Sequence, residues 1–185
     1  MYRILIVCTG NICRSPMAEG ILKRLVRRHG LEDRIEVRSA GTWAADAAAA
    51  TECAVTAANR SGILIGDHRS RALLKAIVRE SDLILAMEPV HVEDILARDP
   101  KAEGKVYLLT TFADPEEGDP VGVIDPYGNA QEHYDATFEQ LDHLLRVAFP
   151  RILERVERRA AAEQSKTGAA GRTDGAGGAE ERGSD

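Results

Sequence analysis

Short apolar runs alternating with segments of helical periodicity predict an α/β fold: one domain, a four-stranded parallel sheet with helices on both faces. Three observations carry this. Arg3 to Val7, Leu83 to Met87 and Val106 to Leu109 are near-continuous apolar runs, the pattern of strands buried on both sides. The segments between them repeat their apolar residues every three to four positions, as crossover helices do. The first run leads directly into Cys8-Thr9-Gly10-Asn11-Ile12-Cys13-Arg14-Ser15-Pro16, a glycine-containing loop at the carboxyl end of a strand. Ligands bind at that end of such sheets.

Taken in order, Arg3 to Val7 is the first strand. Pro16 to Arg28 is helical through Met17, Ile21, Leu22 and Leu25, and stops at Gly30. Ile35 to Ser39 reads as the second strand, with Ser39 to Trp43 as its exit. The alanine-rich stretch up to Ser61 predicts a helix broken at Gly62. Leu73 to Val78 and Pro89 to Ala97 read as helices around the strand Leu83 to Met87, and Val106 to Leu109 is the fourth strand. After Thr110 comes a loop with Asp119-Pro120 and Asp125-Pro126-Tyr127-Gly128. A long helix is expected from about Ala130, with Tyr134, Phe138, Leu141, Leu145 and Ile152 facing the core and Pro150 kinking or ending it. Residues 1–160 form the expected domain. Residues 161–185, rich in Gly, Ala and charge, read as a disordered tail.

The loop after the first strand carries the chemistry. Cysteine and arginine five residues apart, with glycine between and Ser-Pro at the exit, can curl so that backbone N–H groups point at one phosphate. That field favours a thiolate at Cys8, a nucleophile. Gly10 permits close approach to an anion, and Asn11 tolerates left-handed backbone while its amide pins the loop from within. Arg14 presents a planar fork matching two phosphoryl oxygens. Ser15 can cap the following helix or donate to the thiolate, and Pro16 suits a first helical position.

Composition narrows the class. At 185 residues with a formal net charge of -6, the chain repels nucleic acid on average, and no nucleic-acid partner is expected. The cluster Lys23, Arg24, Arg27 and Arg28 reads as the solvated face of a helix. No apolar span near 20 residues and no signal pattern stand out, so neither membrane nor secretion is expected, and three cysteines suit a reducing cytoplasm. No metal and no cofactor are implied. Oligomeric state is not specified by any of these features.

Expelling an alkoxide or phenolate from phosphorus needs a proton donor opposite the nucleophile. Asp125 is the candidate: Pro126 stiffens its loop, and the Tyr127 ring can line a slot and partly desolvate the carboxyl. These two motifs together resemble the low-molecular-weight protein tyrosine phosphatase family, over roughly Met1 to Arg158. The resemblance implies a phosphorylated protein as substrate, Cys8 as nucleophile, Arg14 as transition-state clamp, and Asp125 as acid and then base. It also implies that Asn11, Ser15, Ser39 and His68 form a network supporting the loop, in which Thr9, Gly10, Ile12 and Cys13 complete the cradle. Cys13 resembles a second loop cysteine able to pair with the nucleophile on oxidation. Ile12, Trp43 and Tyr127 are the candidates for the substrate slot, Trp43 being equally suited to core packing. Cys53 reads as packing.

Within that family, a phosphoarginine branch resembles this chain at Thr9 and at the glycine following Tyr127, yet carries threonine where this sequence has Ile12. An apolar wall at Ile12 suits a phenyl ring, so phosphotyrosine is the expected substrate and phosphoarginine the alternative. Arsenate reduction on the same fold needs further resolving cysteines, which Ser81 to Pro89 lacks. A phosphosite-binding module without turnover would be expected to lack the nucleophile or the acid.

Overall fold

The computed structural model describes residues 1–170. Four strands, β1 (Tyr2–Cys8), β2 (Ile35–Gly41), β3 (Leu83–Ala86) and β4 (Val106–Leu108), form one sheet in the order β2-β1-β3-β4, all pairs parallel. Register aligns Cys8 with Gly41 and Ile4 with Leu83, so the carboxyl ends of β1 and β2 finish side by side. The helices are α1 (Arg14–Arg28), α2 (Glu52–Arg60), α3 (Lys75–Glu80), α4 (Pro89–Arg98), α5 (Leu109–Ala113) and α6 (Gln131–Ala170). No helix among the described residues is long and apolar enough to cross a membrane.

The alternation of β1 sorts its side chains into two cores. Ile4, Ile6 and Cys8 face the larger one, with Met17, Ile21 and Leu22 of α1 and Phe138, Leu141 and Leu145 of α6. Leu5 and Val7 face the smaller one, with Val78 of α3 and Ile95 of α4. Burial on both faces explains why the strands read as unbroken apolar runs.

Three expectations change and one is narrowed. The alanine-rich stretch is not helical before Glu52: Thr51 caps α2 by accepting the Ala54 N–H at 3.3 Å, and its own N–H donates to Ile12 O at 2.9 Å. Residues before it form an irregular strap with Ala47 at φ 60°, tied down by Ser70 Oγ on the Ala48 N–H. The short α5 follows β4 where only a loop was expected. Of the two effects expected of Pro150, ending α6 does not occur, because buried Phe149, Ile152 and Val156 carry the apolar face past it, outweighing one missing hydrogen bond. The same helix takes in residues 161–170, the start of the expected tail. Arg159 holds this end through Asp82 at 2.6 Å and Glu163 at 2.7 Å. Residues 171–185 lie outside the described residues.

Candidate active site

The link between β1 and α1 wraps back over the end of its own strand. Asn11 makes this possible by adopting φ 54°, a left-handed conformation that asparagine tolerates better than most residues. Its N–H then points at Cys8 Sγ, 3.3 Å away. Ser15, expected either to cap α1 or to face the sulfur, does the second: Oγ lies 2.9 Å from Cys8 Sγ, while α1 begins one residue earlier, at Arg14, with no side-chain cap.

Proton directions follow from the donors. Asn11 Nδ2 donates to both Ser15 Oγ and Ser39 Oγ, each at 2.8 Å, so the Ser15 hydrogen is left for the sulfur. Ser39 passes its own hydrogen to Glu19 Oε2 at 2.5 Å, and Lys23 neutralises the other Glu19 oxygen. Asn11 Oδ1 accepts the Arg71 N–H at 2.9 Å, and the Asn11 carbonyl faces His68 Nε2 at 2.8 Å. Burial pushes the His68 imidazole below its ordinary range, with the Asn11 carbonyl partly opposing, so a neutral ring donates that bond. Asn11, Ser15, Ser39 and His68 thus meet in one network, joined by Glu19, which motif reasoning did not single out.

The sheet edge comes close to this loop. A Cβ on Gly41 would stand 2.4 Å from Thr9 O and 3.0 Å from Asn11 N. The absence of a side chain there lets Thr42 N–H and Trp43 N–H bond Cys8 O and Thr9 O, each at 3.0 Å.

Arg14 is buried and its terminal nitrogens are fully engaged. Nη1 donates to Glu88 Oε2 at 2.6 Å and to Val123 O at 2.8 Å; Nη2 donates to Asp125 Oδ2 at 2.6 Å and reaches Thr9 Oγ1 at 3.4 Å. Nε, also buried, has no partner among the described residues. A buried orphan donor on a cation calls for an anion. Glu88, at the carboxyl end of β3, was legible only through the rule that such ends build the site.

Cys8, Thr9, Gly10, Ile12, Cys13, Arg14, Asp125 and Tyr127 line a cavity of about 190 Å³. Asp125 is 39 % exposed at the mouth, its Oδ1 accepting the Tyr127 N–H at 3.1 Å. Ile12 and Tyr127 form the apolar wall. Trp43 does not line this cavity: it is 81 % exposed, which excludes core packing, and sits on the strap bonded to Thr9. Cys13 turns toward Thr51 Oγ1 at 3.4 Å and Tyr134 Oη at 3.9 Å; burial pushes its thiol up, and burial beside Cys13 pushes the Tyr134 hydroxyl up to about 12. All three cysteines are free, and Cys53 is half-buried against the larger core.

A cysteine facing the Asn11 N–H, an arginine with a spare donor and a carboxylate at the mouth define the class: an α/β protein with a cysteine loop suited to an anion. The family model for low molecular weight phosphotyrosine protein phosphatase matches residues 3–161, and the chain belongs to that family. It is similar to the protein-arginine-phosphatase of Bacillus subtilis, 38 % identical over 77 % of this chain and 91 % of that one. It is also similar to the probable low molecular weight protein-tyrosine-phosphatase AmsI of Erwinia amylovora, 34 % identical over 76 % of this chain and 90 % of that one. Among solved structures, the YwlE arginine phosphatase, as a cysteine-to-serine mutant with a phosphorylated active-site serine, superposes with TM-score 0.75 at 35 % identity, covering 81 % of this chain and 95 % of that one. The family is one of phosphatases, and in that neighbour the active-site serine carries the phosphoryl group covalently.

Proposed function

We propose that this protein hydrolyses phosphotyrosine in protein substrates through a phosphocysteine intermediate. The phosphoryl group enters the cradle and takes Arg14 Nε together with the loop N–H groups, in competition with Asp125 for the guanidinium. The Cys8 thiolate attacks phosphorus in line and the P–O bond to the leaving group breaks; Asp125, which takes up a proton from bulk water once the phosphoryl group draws Arg14 away, passes that proton to the leaving oxygen. Charge on the equatorial oxygens is held by Arg14 and the loop amides. Water then attacks phosphorus, gives its proton to Asp125, and the P–S bond breaks to release phosphate. Cys8 needs its support network because an unsupported thiolate would move out of line.

The observation that carries substrate choice is that Ile12 and Tyr127 line the same cavity as Cys8, an apolar slot suited to a phenyl ring. Trp43, exposed on the neighbouring strap, serves as an outer rim that meets the substrate protein. Phosphoarginine is the second reading, favoured by the 38 % identity to an arginine phosphatase. A cytoplasmic setting is part of the proposal, supported by three free thiols. So is a domain that ends near residue 160.

Phosphate release from matched phosphotyrosine and phosphoarginine peptides tests this. Phosphotyrosine preference that falls in Ile12→Thr, with no turnover by Cys8→Ser, is the expected result. Phosphoarginine preference in the unaltered chain would transfer the assignment to the second reading.

A further inference from the structure

His91, at the third position of α4, is fully buried behind the cradle and has no place in the chemistry above. Its Nδ1 accepts the Glu88 N–H at 3.1 Å. An acceptor carries no proton, so in the neutral ring the hydrogen sits on Nε2, 2.9 Å from Thr9 Oγ1. Thr9 Oγ1 therefore accepts from His91 and, at 3.4 Å, from Arg14 Nη2. With both lone pairs occupied, the Thr9 hydroxyl can only donate. Its hydrogen has no acceptor among the described residues, and Thr9 lines the cavity beside Cys8.

We infer that Thr9 is a phosphoryl-binding donor whose hydroxyl is set in the donating direction by His91, the positioning residue. The Glu88 backbone fixes the tautomer of His91, the tautomer fixes the role of Thr9, and the hydroxyl meets an oxygen of the phosphoryl group in the cradle. Glu88 joins the two halves of the device, since its carboxylate holds Arg14 while its N–H holds His91. The inference rests on the reading of Cys8 as a phosphatase nucleophile.

Steady-state hydrolysis of p-nitrophenyl phosphate, with inorganic phosphate as inhibitor, tests it in the full chain. Thr9→Val keeps shape and removes the hydroxyl; kcat/KM is expected to fall roughly tenfold and phosphate inhibition to weaken in parallel, as for a lost bond to a charged group. His91→Phe should match that loss, and Thr9→Val with His91→Phe should be no worse than Thr9→Val alone, because one device is broken once. His91→Gln, whose amide can accept and donate, should recover most of the activity. Unchanged parameters in Thr9→Val overturn the inference. So does a double variant whose loss is the product of the single losses, or a His91→Gln protein with a native melting profile but no recovery. Loss of turnover in Cys8→Ser establishes the underlying reading separately, so the two failures are distinguishable.

Discussion

At the scale of the residue, the proposed mechanism gives Asp125 two roles that exclude each other in time. Without substrate its carboxylate is an acceptor for Arg14; during cleavage it has to hand a proton to the leaving oxygen. A phosphoryl dianion competes for the same guanidinium and frees the carboxyl at the mouth of the slot. Asp125→Asn retains an acceptor for Arg14 and removes the proton source, which isolates the second role. Because kcat/KM reports only steps up to the first irreversible one, it should fall about a hundredfold or more for phenyl phosphate and much less for p-nitrophenyl phosphate, whose phenolate leaves unaided. Rates across a series of substituted aryl phosphates measure this. A uniform fall along the series would place the acid elsewhere.

At the scale of the element, the cradle is as much a property of β2 as of the loop. Gly41 ends the edge strand at a point where the backbone of Thr9 passes too close for any side chain. Gly41→Ala should therefore cost roughly 1–3 kcal/mol of stability, as overpacking does, and weaken inorganic phosphate binding, because relief requires the loop to shift. Gly66, whose added Cβ meets nothing within 4 Å, is the control, and Gly66→Ala should change stability by no more than about 0.5 kcal/mol. Urea unfolding and phosphate titration of both variants check this. The strands, the cysteine loop and the place of Asp125 at the cavity were legible in the sequence because each is a local pattern: unbroken apolar runs, a glycine-containing turn, Asp-Pro. Glu88, Val123 and His91 were not legible as individual residues: Glu88 and His91 follow β3, which the parallel register sets beside β1, and Val123 is brought in by its N–H bond to Met87 O. The alanine strap misled for a related reason. Alanine favours helix in isolation, and here bonds from Ser70 and the cap at Thr51 decide otherwise.

At the scale of the whole molecule, a buried and a half-buried histidine couple the cradle to acidity. His68 bonds the carbonyl of Asn11 and His91 faces Thr9, two residues of the same loop. Both imidazoles are held below the ordinary value of 6.5 chiefly by burial. Arg14 lowers His91 further, while Glu88, Asp94 and Asp125 oppose; for His68, Arg71 and Lys23 lower and Glu19 opposes. In each case the unfolded chain takes up a proton near pH 6.5 that the folded chain refuses until lower pH. Stability is then full above about 6.5 and declines as pH drops from there toward the folded values, by at most about 1.4 kcal/mol per pH unit for each histidine. This window opens at about 6.5, above the range where ordinary carboxylates titrate, near 4, so its upper part is read apart from theirs. Urea midpoints between pH 7.5 and 5 should fall, and His91→Gln and His68→Gln should each flatten the decline. Saturating inorganic phosphate, which binds only the folded cradle, should raise the midpoint at every pH. A decline that both glutamine variants leave untouched would mean that the acid sensitivity comes from ion pairs such as Arg159 with Asp82 rather than from the histidines behind the loop.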